Sequence, residues 1–492
     1  MNGIWQYIYQ KSLQKQCIVF CNSVAGSETT AVQLRFIASE NHAEDNFHVH
    51  HGNISTTLRE AAEAAMKENR PVVVIGTSSL EVGLDIAGLD RVIQVNSPVA
   101  VASFVQRMGR SGRRGQPAEI YFVCHDGIPQ EKAILPGKIP WNLVQNIAVI
   151  LLYLEERWME PPKKLKYPFG ILYHQTLSVL AGKGELSQNA LAEQVLSLSP
   201  FRNISREDFD QIVARMLKLD HLQKLEDGGL ILGMEGGRLV HSYTFYPVFK
   251  TFDTFTVLNG SEQLGLVYRE FSPGEPLTLA GHTWEVVSCD AEHFKVYVKP
   301  MINPIAISDE GDLAVIHTRI LEKMKLVLSD RKEYPFLQEG ALNRLREARL
   351  LSRDRNLTGR NLIRLEKGFY CILPWMGNAE YNTLMLLLRH FIPKRMQLVH
   401  LGGFEPYYVL VKTREDSVET LWECLRDIAG ASITLNDILK NQEVHRFKTK
   451  CESVIPKFDH FIPAALLKKA LEHDFIDLPK VIRRVGEWIQ HS

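Results

Sequence analysis

From residue 16 to 124, short apolar runs alternate with longer amphipathic, alanine-rich stretches. CIVFC (17–21), HVHH (48–51), VVVIG (72–76), RVIQV (91–95) and EIYFVC (119–124) are rich in β-branched side chains and bounded by Gly, Asn or Pro, which predicts buried strands. ETTAVQLRFIASE, TLREAAEAAMKEN and VASFVQRMGR, between them, read as helices. Near-continuous apolar strands alternating with helices predict a parallel sheet covered on both faces, with functional loops at the carboxyl ends of its strands. A long helix is predicted at 141–158, followed by the linker PPKKLKYP. ILYHQTLSVLAG, SQNALAEQVLSL and SREDFDQIVARMLKL then predict three helices, with Ser187 and Ser205 as caps of the second and third, the latter with Asp208 three residues on. HLQKLEDGGLILG predicts a hairpin about Asp-Gly-Gly, and three helices plus a hairpin is the order of a winged helix. Residues 243–300 are strand-rich, with turns at Asn259–Gly260, Pro273–Gly274 and Ala280–Gly281, which predicts a small β-barrel or sandwich. The fold class expected is α/β, with segments at 1–135, 136–240, 241–304 and a mixed α/β region at 305–492.

Composition narrows this picture. Lys+Arg and Asp+Glu both total 57, so affinity for a polyanion has to come from local patches. Seven scattered cysteines give no disulfide framework and fit a reducing, cytoplasmic setting. The longest apolar stretch, IAVILLYLEERW from Ile147, acquires Glu155 and Glu156 too early to cross a bilayer, so no membrane partner is expected.

The densest candidate chemistry lies on the first sheet. TSSLEVGLD (77–85) follows VVVIG and joins small hydroxyls at a strand end to a Gly that permits close backbone approach and an Asp at the end of the turn. QRMGRSGRRG (106–115) supplies Gln106, Arg107, Arg110, Arg113 and Arg114 with no acid inside the segment. Arg107, Arg110 and Arg113 recur every third residue and converge on one side of a helix or tight turn. Guanidinium forks so placed suit a polyphosphate, because each can bond two oxygens of one phosphate.

These segments resemble the second RecA-like lobe of superfamily 2 helicases. FCNS (20–23) stands at that family's motif IV, HHG (50–52) at the following turn, TSSLEVGLD at motif V and QRMGRSGR at motif VI. The wording is nearest to the Lhr-like branch, whose lobe is similarly followed by a winged helix and a β-rich domain; LILGMEGGRLV and LAGHTWEVV resemble the same branch. The resemblance implies Arg110 and Arg113 as arginine fingers on the γ-phosphate of ATP, with Gln106 orienting the nucleotide side of the cleft. It implies Gly83, Asp85 and Arg107 on the nucleotide, and Asn22, Ser23, His51, Gly52, Thr77 and Ser78 along the backbone of a single strand. Small polar groups and backbone N–H donors grip phosphates without reading bases. The implied partners are single-stranded or partly duplex nucleic acid, DNA favoured, and a first RecA-like lobe in cis or trans; 3′-to-5′ movement and DNA repair are the implied setting.

The departure from the family pattern is as informative. G-x-x-x-x-G-K-[ST] does not occur, and D-E-x-[DH] matches only at 309–312 (DEGD), with no phosphate loop before it, so the phosphate loop and the Mg²⁺ carboxylates are expected on the first lobe, and this chain alone is not expected to hydrolyse ATP. The chain is expected to be the carboxyl half of a longer helicase, from a truncated frame, a split gene or an excised piece. The competing expectation is a non-catalytic nucleic-acid-binding or adaptor module. Plainer roles are expected elsewhere. His48, His50 and His51 have no Cys or carboxylate at ligand spacing, so no metal site is expected. Cys17 and Cys21 read as core, as do Trp284 and Trp375. The third helix, 205–219, balances Arg206, Arg215 and Lys218 against Glu207, Asp208 and Asp210, which favours packing over base readout. Residues 317–368, with thirteen Lys/Arg against seven Asp/Glu, offer either a polyanion surface or a solvated helical face.

Overall fold

The computed structural model describes residues 3–68, 70–81, 89–112, 117–126, 134–249, 254–301, 315–451 and 456–490. The chain forms two compact units, each made of two stretches: Met1–Glu160 with Phe252–Thr358, and Pro161–Thr251 with Gly359–Ser492. The boundary near 358 runs through the segment that the sequence presents as one mixed α/β region.

The first unit opens with α1 (Gly3–Ser12), β1 (Gln16–Phe20), α2 (Val24–Glu40), β2 (Phe47–His50), α3 (Thr56–Lys67), β3 (Val72–Gly76), β4 (Arg91–Val95), α4 (Val101–Met108), β5 (Ile120–Val123) and α5 (Trp141–Glu156). The five strands are all parallel, in the order β2-β3-β1-β4-β5. Alternate residues feed two cores. Cys17, Val19, Val73, Ile75 and Ile93 pack with Ala31, Leu34 and Ile37 of α2, while Ile18, Phe20, Val72, Val74 and Val92 pack with Ala62, Ala65 and Met66 of α3. Burial pushes the Cys17 thiol up to about 12, as suits a core residue. The chain runs from β1 to β2 and β3 on one side, then crosses to β4 and β5 on the other. Strand order therefore reverses beside β1, where open α/β sheets place ligands.

The same unit contains β6 (Phe255–Asn259), β7 (Glu262–Val267), β8 (Pro276–Leu279), β9 (His282–Asp290) and β10 (Lys295–Pro300), which form one sheet in the order β7-β6-β10-β9-β8. Neighbours are antiparallel except β6 and β10. The turns at Gly260, Gly274 and Ala280–Gly281 all carry positive φ, and Trp284 is buried with its indole N–H on the Leu279 carbonyl at 2.9 Å. Two helices, α6 (Thr318–Ser329) and α7 (Glu339–Asp354), complete the unit. Much of the local basic excess is spent internally. Arg319 meets Glu156 at 2.6 Å, and Lys323 and Lys332 meet Glu155 at 3.0 and 2.8 Å. Hydrogen bonds from these cations hold both glutamates below the usual carboxylate range. Arg349 is buried and donates to the Val327 and Lys332 carbonyls.

In the second unit, helices Phe169–Lys183, Gln188–Leu196 and Arg206–Lys218 precede strands Leu222–Lys224 and Gly229–Leu232, with Leu186–Ser187 pairing on the far side of the latter. Ser187 caps its helix on the Ala190 N–H at 3.2 Å, and Ser205 and Asp208 form a reciprocal capping box. The third helix turns its polar groups to its own unit: Asp210 pairs with Arg206, Asp208 accepts from Lys469 at 2.6 Å, and Arg215 donates to the Phe461 carbonyl. The remainder is a four-stranded antiparallel sheet in the order Leu362–Glu366, Phe369–Ile372, Tyr408–Thr413, Leu398–Phe404, packed with helices Asn378–Phe391, Val418–Ala429 and Leu478–Gln490, and Trp375 is buried. Among the described residues, no helix is long and apolar enough to cross a membrane.

Candidate functional site

Asn22 leaves the end of β1 exposed to solvent. Its Nδ2 donates to the Ser97 carbonyl at 2.7 Å, and its Oδ1 accepts from Arg107 at 3.3 Å. Ser23 is buried and caps α2 through the Gly26 N–H at 3.0 Å, so its hydroxyl already serves the helix. At the end of β3, Thr77 is half-buried while Ser78 and Ser79 are exposed on a single 3₁₀ turn, Ser78–Leu80, held down by the buried Leu80. A Cβ on Gly76 would stand 2.5 Å from the His50 carbonyl, so only glycine lets these strand ends meet. Gly52 is exposed beyond the end of β2. Because β2, β3 and β1 are adjacent and parallel, Asn22, Gly52, Thr77 and Ser78 all follow strands at one edge of the sheet. Ser79, which the sequence did not single out, belongs with them: its hydroxyl donates to the His50 carbonyl at 3.3 Å.

His51 lies elsewhere. It is fully buried, with Nε2 at 2.7 Å from Glu28 Oε1 and Nδ1 accepting the Asn53 N–H at 3.2 Å. Glu28, also buried, accepts the Ala280 N–H at 2.8 Å and the Gly281 N–H. Arg35 donates to the carbonyls of the same two residues at 2.9 and 2.8 Å. A carboxylate removed from water needs such donors, and here they come from the turn between β8 and β9. His51 thus anchors the Gly52 turn from behind. The available signal was a lone acid on the otherwise uncharged first turns of α2, and sequence reasoning passed over it. His50, also buried, meets Glu63 at 3.1 Å.

Gln106 is exposed near the carboxyl end of α4, whereas Arg107 is 3% exposed and turned inward. Arg107 Nε and Nη2 reach Glu81 at 2.8 and 2.7 Å, Nη1 bonds Asn22 and Gln94, and the guanidinium lies 5.0 Å from the centre of the Phe20 ring. The acid missing from the arginine-rich segment is therefore supplied by the loop after β3. Arg110, 8% exposed, donates to the main-chain carbonyl of the same Glu81. Gly112, at φ +78°, allows the chain to turn where a Cβ would stand 2.5 Å from the Ala118 nitrogen. Glu81 thus ties the segments expected as motifs V and VI into one buried knot, and Arg107 extends it to Asn22 of the segment expected as motif IV. Gly83, Asp85 and Arg113 lie outside the described residues. Among the described residues, no three His, Cys, Asp or Glu side chains are grouped to hold a metal ion.

Comparison with known proteins places this geometry. Residues 2–115 match the helicase conserved C-terminal domain. The ATP-dependent helicase Lhr-Core of Methanothermobacter thermautotrophicus is 32% identical over 155 residues, covering 29% of this chain and 18% of that protein. Its Saccharolobus solfataricus counterpart is 23% identical over 314 residues, covering 60% of this chain and 34% of that protein. Among solved structures, Mycobacterium smegmatis helicase Lhr bound to ssDNA and AMP-PNP shares the fold at a TM-score of 0.57 and 17% identity, covering 99% of this chain and 65% of that one. The chain thus spans less than two thirds of each of these relatives. Residues 2–115 carry the helicase conserved C-terminal domain, and the chain is similar in sequence to Lhr helicases and shares the fold of one of them.

Proposed function

We propose that this chain supplies the second motor lobe and accessory domains of an ATP-dependent helicase or translocase acting on single-stranded or partly duplex nucleic acid, DNA favoured. The observation that carries the reading is the shared edge of the parallel sheet. Exposed Asn22, Gly52 and Ser78 and half-buried Thr77 follow β1, β2 and β3 there, and motif VI is bonded to the loop after β3 through Glu81 and to the loop after β1 through Asn22. In this reading, ATP lies between the lobe and a first RecA-like lobe in cis or trans that also holds Mg²⁺. Bound Mg²⁺–ATP supplies the phosphoryl group and the metal's charge. Arg110 and Arg113 would neutralise the γ-phosphate, Gln106 would orient the nucleotide, and Gly83 and Asp85 would face ribose and phosphates. Arg107 would act on the nucleotide side as the buried end of the Glu81 knot, while the exposed strand-end groups grip phosphates. Ser23 and His51 would serve the strand by fixing the turns on which Asn22 and Gly52 sit.

The test is to combine the chain with a separately produced first lobe and measure strand-stimulated ATPase. Arg110→Ala should lower turnover by about 10³-fold or more, the scale of an arginine finger. Unchanged turnover in that variant would remove the finger assignment.

A further inference from the structure

The Gly52 turn is paired to the β-rich sheet as a short extra strand. Ser55 N–H donates to the Leu264 carbonyl at 3.0 Å, Leu266 N–H donates to the Asn53 carbonyl at 2.7 Å, and Ile54 bridges Gly265. The β7–β6 register slips between Gln263 and Gly265, and Gly265 brings its backbone so close that a Cβ would stand 2.3 Å from the Asn53 carbonyl. This pairing carries the chain straight into Tyr268, whose hydroxyl donates to Asn53 Oδ1 at 2.9 Å. The ring is held by its phenol next to the turn, yet Tyr268 remains 53% exposed. Gly52 itself is open: a Cβ there would meet nothing within 4 Å.

An exposed ring tethered at its polar tip beside an open glycine turn has the chemistry of a stacking platform next to a phosphate grip. Bases stack on aromatic faces whatever their identity, and fixing the ring in advance lowers the entropy lost on binding. We propose that Tyr268 stacks on a base of the single strand whose backbone the Gly52 turn holds, so that the β-rich sheet contributes directly to the strand path. The inference rests on the reading of Gly52, Asn22 and Ser78 as strand contacts. Arg269, the next residue, stands 3.7 Å from the Phe271 ring centre and is paired with Glu275, so the stacking role falls to the tyrosine.

The full chain would be titrated against a fluorescent dT₁₂ and against an abasic strand of equal length, with melting of each variant as a folding control. Tyr268→Ala should weaken dT₁₂ binding about tenfold, and Tyr268→Leu about as much, while the abasic strand loses less than twofold. Tyr268→Phe keeps the ring but not its tether and should fall between. Ser78→Ala, a backbone contact, should weaken both strands alike. Equal loss on both strands for Tyr268→Ala, or none on either, overturns the stacking role. Failure of the wild-type chain to bind dT₁₂, or indifference to both Ser78→Ala and Asn22→Ala, overturns the underlying reading instead.

Discussion

Replacing Glu81 by alanine isolates the role of the buried knot. Glu81 is 9% exposed and Arg107 3%, and the pair is joined by two short contacts, so the substitution leaves a guanidinium inside the protein without its counter-ion. Breaking such a pair from one side costs about 3–5 kcal/mol. Arg107 keeps Asn22, Gln94 and the face of Phe20, which offset part of the loss, so the lower end, about 3 kcal/mol, is expected. Removing both charges with Glu81→Leu and Arg107→Met should cost less than either single change, because no stranded ion remains. The cycle should therefore show a coupling of about 2 kcal/mol or more. Two compact units make a single global unfolding curve ambiguous, so the reporter should be native-state hydrogen exchange at the β4 amides, Val92 to Val95. A cost under about 1 kcal/mol with additive single variants would refute the reasoning. Arg107 would then be loosely held and able to swing out towards a nucleotide.

Two further outcomes follow from close approaches and burial. Gly265→Ala forces backbone apart at Asn53 and should cost about 1–3 kcal/mol, with faster exchange at the Ser55 and Leu266 amides while β4 stays protected. In the second unit, burial lowers the pKa of His174 and His221 below the ordinary 6.5. Depressed folded values mean that the unfolded chain binds protons first. Their contribution is full above about 6.5 and is lost as pH falls through the folded values, so the second unit should melt lower at pH 5 than at pH 7.5. His221→Phe, a ring in the cluster with Tyr173 and Phe461, should flatten that dependence, and an unchanged slope would count against it.

What could be read in advance was what short-range pattern determines. VVVIG and RVIQV are strands with the expected bounds because the first is apolar throughout and the second at three of five positions, with residues from both faces buried. Ser187 and Ser205 cap the predicted helices because an N-cap bond closes within three residues. The partners of the site residues are another matter. Glu81 and Arg107 are 26 positions apart, Glu28 and His51 are 23, and Glu28 and Ala280 are 252, so no local period announces them.

Charge counting was incomplete for a related reason. The arginine run has no acid of its own because the acid that pairs Arg107 sits on another loop, and the basic excess at 317–368, open to either a polyanion surface or a solvated helical face, is partly offset by Glu155 and Glu156 outside that window. A local census of charge measures what a segment brings, whereas a polyphosphate or a strand meets only what the fold leaves uncancelled. Arg107, Arg319, Lys323 and Lys332 are already spent on protein carboxylates. Among the described residues, the exposed groups just after β1, β2 and β3 include uncharged Asn22, Gly52, Ser78 and Ser79. A grip made of neutral donors releases few counter-ions, so strand binding by this edge should depend on salt less steeply than the sequence's arginine content suggests.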